Sequence, residues 1–263
     1  MVGFELLRRF AAIIDYGRRT LTFIDPARFN PKDAGTAVPF VFYDHLPHVS
    51  GFIDDLPARF DIDTGSRSEL DITAPFVAAH QLDSRFAKGV SAVTGWGVGG
   101  PSRSYVVRLP SVTLGGVKVQ GPTAGLSQDK GGSISDPNYD GNIGGGLLKR
   151  FVVTFDYAHQ AMYLKPIVPA PADVGRFDRS GLWINAGKDG YDVTDVSPGG
   201  PAAEAGIAVG DVITAIDGKP VTTEGLSDTR IRFRAQPAGT KLTIAVTRGT
   251  NRKTVTLVLR EQI

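Results

Sequence analysis

Short runs in which apolar and polar residues alternate, broken by glycine and proline, fill most of this chain. Val38-Pro39-Phe40-Val41-Phe42 and Val49-Ser50-Gly51-Phe52-Ile53 alternate as hairpin strands leading into Ala58-Arg59-Phe60-Asp61-Ile62-Asp63. Val112-Thr113-Leu114 and Val117-Lys118-Val119 flank Gly115-Gly116, a hairpin turn. Ser91 to Gly100 and Ser104 to Leu109 read as a longer hairpin with a glycine-rich tip. Leu242-Thr243-Ile244-Ala245-Val246 and Thr254-Val255-Thr256-Leu257-Val258-Leu259 alternate as a further pair. Helical stretches are few: Pro75-Phe76-Val77-Ala78-Ala79-His80, with proline in its first turn, and Leu226 to about Ala235. The pattern predicts a mainly β protein.

Composition narrows the chemistry. With 263 residues the chain is long enough for two ordinary domains, and 41% hydrophobic against 21% charged residues describes a folded globular protein. A net charge of +2, without blocks of like charge, gives no argument for a nucleic-acid partner or a membrane surface. Cysteine is absent, which excludes disulfides, thiolate metal sites and a cysteine nucleophile. No apolar run reaches the roughly 18 residues of a membrane span, and Met1-Val2-Gly3-Phe4-Glu5 does not resemble a signal peptide. His45, His48, His80 and His159 lack metal-ligand spacing, so no metal or other cofactor is expected.

The string with most chemical content is Phe60-Asp61-Ile62-Asp63-Thr64-Gly65-Ser66. On a strand entering a tight turn it sets the Asp63 carboxylate at a backbone corner. Gly65 permits the turn's dihedrals, and the Thr64 and Ser66 hydroxyls can donate hydrogen bonds that fix the acid. Asp61 falls on the opposite face of the strand and reads as solvated or structural. Asp140 precedes a glycine but lacks the apolar-Asp-Thr pattern.

This string resembles the catalytic signature of the retropepsin-like aspartic proteases. The resemblance implies that two such carboxylates, about 3 Å apart, share a proton, one acting as base on a water and the other as acid. It assigns catalysis to Asp63 with Thr64, Gly65 and Ser66. Thr64 would stabilise the interface between lobes, and Ser66 would bond the outer carboxylate oxygen. Residues 36–166 are similar to one whole lobe, a retropepsin-like acid-protease β-barrel. The hairpin tip Trp96-Gly97-Val98-Gly99 stands where the family carries its substrate-covering flap. Ile143-Gly144 resembles the apolar-Gly element beside the active site, with Asn142 departing from the usual apolar first position.

A second Asp-Thr-Gly run is missing, yet part of the lobe occurs twice. Val2-Gly3-Phe4-Glu5-Leu6-Leu7-Arg8-Arg9-Phe10 matches Ile143-Gly144-Gly145-Gly146-Leu147-Leu148-Lys149-Arg150-Phe151, and Asp15-Tyr16 matches Asp156-Tyr157, at a constant offset of 141. Each copy reads as a turn, a short helix and two strands. Residues 1–30 therefore look like the tail of a preceding lobe, whose own catalytic run would fall upstream of Met1. The expectation is a chain truncated at its N-terminus or read from a late start.

After the proline-rich stretch 167–177, residues 178–263 resemble a PDZ domain (α+β, a partly open β-barrel) of the kind found in bacterial proteases. The resemblance rests on Pro201-Ala202-Ala203-Glu204-Ala205-Gly206-Ile207, Val209-Gly210-Asp211-Val212-Ile213 and the turn Asp217-Gly218. It implies a peptide ligand added as a strand beside Gly181, Leu182, Trp183 and Ile184, with the helix 226–235 flanking the groove. Trp183 stands where a second glycine is common, which sets this loop apart from an ordinary carboxylate-capturing one. Gly141-Asn142-Ile143-Gly144-Gly145 also resembles the nucleophile loop of serine proteases, but Ile143 occupies the serine position.

Taken together, these readings predict an aspartic endopeptidase with a PDZ module for substrate recognition. The second aspartate would come from the missing first lobe or from a homodimer partner. The alternative is a non-catalytic PDZ scaffold carrying an inactive protease-like lobe. The PDZ type implies a bacterial protein, exported or periplasmic.

Overall fold

The computed structural model describes residues 4–97 and 100–263. Among the described residues, strands make up 46% and helices 17%, and no sheet closes into a barrel. The mainly β architecture is the one expected, with the sheets of the lobe open at their ends and not closed on themselves. The chain divides into two compact units: residues up to Ala87 with Val107–Gly175, and Lys88–Val106 with Arg176–Ile263.

The first unit begins with α1 (Phe4–Leu7), β1 (Ala11–Asp15), β2 (Thr20–Ile24), β3 (Thr36–Pro39) and β4 (Val41–Tyr43). It continues through β5 (Leu46–Ile53), β6 (Leu56–Asp63), β7 (Leu70–Ile72), α2 (Ala74–His80) and α3 (Leu82–Arg85). The hairpin β8 (Gly89–Gly97) and β9 (Gly100–Arg108) follows, belonging up to Val106 to the second unit. The chain then returns as β10 (Ser111–Leu114), β11 (Val117–Gln120), β12 (Thr123–Ser127), β13 (Gly141–Gly144), α4 (Gly145–Leu148), β14 (Phe151–Asp156) and β15 (Ala161–Pro166).

An antiparallel sheet in the order β2-β1-β14-β15-β3 contains both copies of the repeat. Shifting α1 by 141 residues gives the bounds of α4. The β1–β2 register (Ala11↔Ile24, Asp15↔Thr20) likewise becomes that of β14–β15 (Val152↔Lys165, Asp156↔Ala161). Where the copies meet, Ile13 pairs with Thr154, its own equivalent, and the register is symmetric on either side. A local two-fold axis therefore passes through that pair. β3 covers the outer edge of β15, whereas β2 ends the sheet with Leu21 47% and Phe23 37% exposed.

Within the first unit, a second sheet runs β11-β10-β5-β6-β13-β7-β12, with β4 on β5. β13 lies between β6, to which it is parallel, and β7, to which it is antiparallel. Phe60, Leu70, Ile72, Ile143, Leu147 and Leu148 are fully buried around it. Val38 to Phe42, expected as one strand, is divided at buried Phe40: β3 pairs with β15 and β4 with β5. Phe40 N–H donates to Gln160 O at 3.0 Å, which holds the chain where it changes sheets.

The second unit contains β16 (Leu182–Ala186), β17 (Tyr191–Val196), α5 (Pro201–Glu204), β18 (Val212–Ile216) and β19 (Lys219–Pro220). It ends with α6 (Leu226–Ala235), β20 (Lys241–Arg248) and β21 (Asn251–Val258). Its sheet order is β16-β17-β18-β20-β21, with β19 on β18. Asp217 and Gly218, at φ +51° and +74°, make the two-residue turn between β18 and β19. Ile184, Val193, Ile213, Phe233, Ile244 and Leu257 form the core.

Asp211, just before β18, is wholly buried, accepting from Arg248 Nε (2.5 Å) and Ala208 N–H (3.0 Å). The Arg248 hydrogen bond holds its carboxyl below the usual range, against the opposing effect of burial. Asp211→Ala leaves the Ala208 N–H unsatisfied and is expected to destabilise the chain by roughly 1–3 kcal/mol. Thermal unfolding of the variant checks this; an unchanged Tm would mean that the pair contributes nothing.

Candidate functional site

β6 ends at Asp63, and the next residues form a tight turn. Gly65 N–H donates to Asp63 Oδ1 at 2.8 Å, and Ser66 N–H to the Asp63 carbonyl at 3.2 Å. Gly65 is not in the left-handed region; a Cβ there would come within 3.1 Å of Asp63 Oδ1, so the glycine keeps the carboxylate uncrowded. The Ser66 hydroxyl accepts from Ser68 N–H at 3.3 Å, which differs from the expected bond to the carboxylate. Thr64 is exposed.

The turn is backed by the glycines at the end of β13 and the start of α4. Gly144 pairs with Asp63, and its N–H donates to Glu69 O (3.2 Å). Gly145 N–H donates to Ser66 O (2.8 Å) and Gly146 N–H to Ser68 O (3.0 Å). The approach is close enough that a Cβ at Gly144 would lie 2.2 Å from Ser68 O, and one at Gly146 2.5 Å from Arg67 O. Ile143 is fully buried between β6 and β7, as a wedge that fixes this register. The structure thus brings together Asp63, Gly65, Ser66, Ile143 and Gly144.

Two further groups bear on Asp63: Tyr16, which the sequence shows only as part of the repeat, and Asp71, which carries no motif. The Tyr16 hydroxyl is buried without a hydrogen-bond partner among the described residues. Burial, then the Asp63 charge, pushes it up to about 12. Asp71, on β7 opposite Asn142, is pushed up to about 7 chiefly by burial; Ser68 opposes this and Asp63 adds to it. Asp71 therefore holds its proton more tightly folded than unfolded. Its contribution to stability is present below about pH 4 and is lost as pH rises through about 7. Asp71→Asn keeps the neutral shape at every pH, so it is expected to raise Tm more at pH 8 than at pH 4. Equal shifts in thermal scans at both pH values would remove the burial account.

Asp61, read from the alternation as solvated or structural, is buried and structural: the sheet is covered on this face too. His48 Nε2 lies 2.7 Å from Asp61 Oδ1, off hydrogen-bonding alignment, and its ring stacks on Tyr43. Burial, with Asp136, Asp63 and Asp44, moves Asp61 up to about 6. Asp140 is also structural, accepting from Arg59 N–H at 2.8 Å and giving its carbonyl to Thr73 N–H at 3.0 Å. A cavity of about 440 Å³ near Phe52, Pro57, Arg59 and Asp140 opens at the other end of β6 from Asp63. Among the described residues no cluster of His, Asp or Glu has the makings of a metal site, and no helix is long and apolar enough to cross a membrane.

In the second unit, Trp96 is 51% exposed near the tip of the β8–β9 hairpin, beside Gly97. Val98 and Gly99 lie outside the described residues. The hairpin is held by Asp195 of β17, which accepts from Val93 N–H at 3.3 Å and pairs with Arg103. Gly181 (φ +72°) leads into Leu182, Trp183 and Ile184 on β16, the strand at one end of its sheet. From α6, Arg230 reaches β16, with its guanidinium 5.4 Å from the Trp183 ring centroid.

Residues 193–248 match the PDZ domain family, and the second unit carries such a domain. The chain is similar to the periplasmic serine endoprotease DegP of Escherichia coli (strain K12), 38% identical over 69 residues. That is 26% of this chain, which spans only 14% of the relative. Among solved structures it is similar to a retropepsin-like aspartic protease from Rickettsia conorii, at 17% identity and TM-score 0.35. That likeness covers 50% of this chain and 92% of the other. It is also similar to the serine endoprotease from Yersinia pestis, at 18% identity and TM-score 0.34, covering 67% of this chain and 62% of the other.

Proposed function

We propose that the protein is an aspartic endopeptidase in which Asp63 supplies one carboxylate of the catalytic pair and the PDZ domain recognises the polypeptide substrate. The observation that carries this reading is the threading of β13 between β6 and β7, which sets Gly144 to Gly146 against the Asp63 turn. A carboxylate so fixed at a strand end, with a second one facing it, activates water by holding a single proton between two acids. Thr64, Gly65 and Ser66 shape the turn, and Trp96 and Gly97 are assigned to contact with substrate.

The second aspartate belongs to a partner lobe, supplied by a preceding segment or by a second copy of the chain. The two-fold relation between α1–β1–β2 and α4–β14–β15 supports this. By that symmetry, the exposed edge of β2 is where the partner's equivalent of β3 would lie. Similarity to a periplasmic relative favours an exported protein.

That relative's serine chemistry suggests a second reading, against which stands fully buried Ile143 at the serine position. Cleavage of unfolded casein by protein from its native source distinguishes the mechanisms. A statine-type peptide is expected to block cleavage and a fluorophosphonate to leave it intact. The reverse would make the enzyme a serine protease, and no cleavage would make the chain a peptide-binding module.

A further inference from the structure

The turn leading into Gly181–Ile184, the loop in which a PDZ domain receives a peptide's terminal carboxylate, here holds a carboxylate of its own. Asp178 Oδ1 accepts from Ser180 N–H (2.8 Å), Gly181 N–H (2.8 Å) and the Ser180 hydroxyl (2.5 Å). The Ser180 hydroxyl oxygen in turn accepts from Leu182 N–H at 3.2 Å. The amides of Ser180, Gly181 and Leu182, at the entrance to the Gly181–Ile184 loop, are therefore committed inside the domain, which leaves a terminal carboxylate without the Leu182 donor. Arg179 ties the same loop to the end of α6 through the carbonyls of Arg234 and Gln236, both at 2.7 Å.

The neighbouring strand, β16, has no strand on its outer side among the described residues. Val193 donates its N–H to Asp211 O (2.8 Å), and its carbonyl accepts from Gly210 N–H (2.9 Å). The cross-strand pair Ile184–Val193 is therefore a non-hydrogen-bonded one, and the Ile184 N–H and C=O point away from β17 to the sheet's outer edge. Arg230 lies on this edge. It donates to the Ile184 carbonyl and to Asn185 Oδ1 (3.2 Å) while its guanidinium covers Trp183.

We propose that this domain binds internal, extended polypeptide segments rather than chain ends, by strand addition along β16, and that Arg230 selects segments with a carboxylate side chain beside Ile184. An added strand needs the Ile184 carbonyl that Arg230 now holds. A ligand Asp or Glu offers the guanidinium a bidentate, charge-assisted replacement. Burial, followed by repulsion from Arg234 and opposed by the Asp178 charge, holds the Arg230 pKa below its ordinary value, and a ligand carboxylate would offset that repulsion. The inference rests on the PDZ domain alone and is independent of the proteolytic reading.

The test uses the whole chain carrying Asp63→Asn, immobilised and offered two equimolar pools of random dodecapeptides, one with free C-termini and one amidated. Mass spectrometry reads what is retained. Both pools are expected to be captured within about twofold, with interior Asp and Glu enriched about fivefold or more. Arg230→Gln is expected to lose that enrichment while still capturing peptide, and Arg230→Glu to shift it to Lys and Arg. A larger preference for free C-termini, capture without interior acidic enrichment, enrichment that survives both substitutions, or no capture from either pool overturns the proposal.

Discussion

Asp63→Asn is expected to lower kcat/KM of the assembled protease by about 10²–10⁴-fold, the range that one general acid–base group contributes. The loss should fall on kcat with little change in KM, because the carboxylate acts on the attacking water and not on the bound chain. Asparagine keeps the acceptor that Gly65 N–H uses at 2.8 Å, so the turn survives and Tm should hardly move. Steady-state cleavage and thermal unfolding of one preparation separate the two roles. Retained cleavage would remove Asp63 from catalysis, and a large fall in Tm would make it a structural acid.

Gly144→Ala should harm both stability and activity, although Gly144 reacts with nothing. The new Cβ would stand 2.2 Å from the Ser68 carbonyl and 2.9 Å from the Ser66 hydroxyl, and the first contact is backbone that no rotamer can relieve. Overpacking of this kind costs about 1–3 kcal/mol, and for a chain of this size each kcal/mol lowers Tm by roughly 2–4 °C. The strain falls on the turn that holds Asp63, where a shift of about 1 Å can cost about 10²-fold in rate. Gly131→Ala, where a Cβ meets nothing within 4 Å, is the control and should be silent in both assays. Parallel Tm and rate measurements decide; equal effects from the two substitutions would mean that β13 does not brace the site.

Much of this arrangement is legible in the sequence because it is local. The helix expected from Leu226 to Ala235 has those bounds, and the 141-residue repeat reappears as two equivalent helix–strand–strand units. The Asp63 corner follows from a strand pattern running into Thr-Gly. What escaped depends on partners distant in sequence. Alternation in Val38 to Phe42 cannot tell that β3 and β4 join different sheets. Asp61 faces away from Asp63 as expected, but only the sheet's second covered face makes it a buried partner of His48. Tyr16 and Asp71 reach the site through the repeat unit and β7, and neither carries a motif. Asp178 can be recognised as a built-in occupant only once the Ser180 and Gly181 amides and the Ser180 hydroxyl converge on it.

The central claim is that one chain supplies half of a two-carboxylate site. Native mass spectrometry of the active species with a bound statine-type inhibitor tests it most directly. The account predicts one inhibitor either on two copies of the 28.0 kDa chain or on one longer chain with a second Asp-Thr/Ser-Gly lobe, and no binding after Asp63→Asn. One inhibitor held by an active, single 28.0 kDa chain would contradict it.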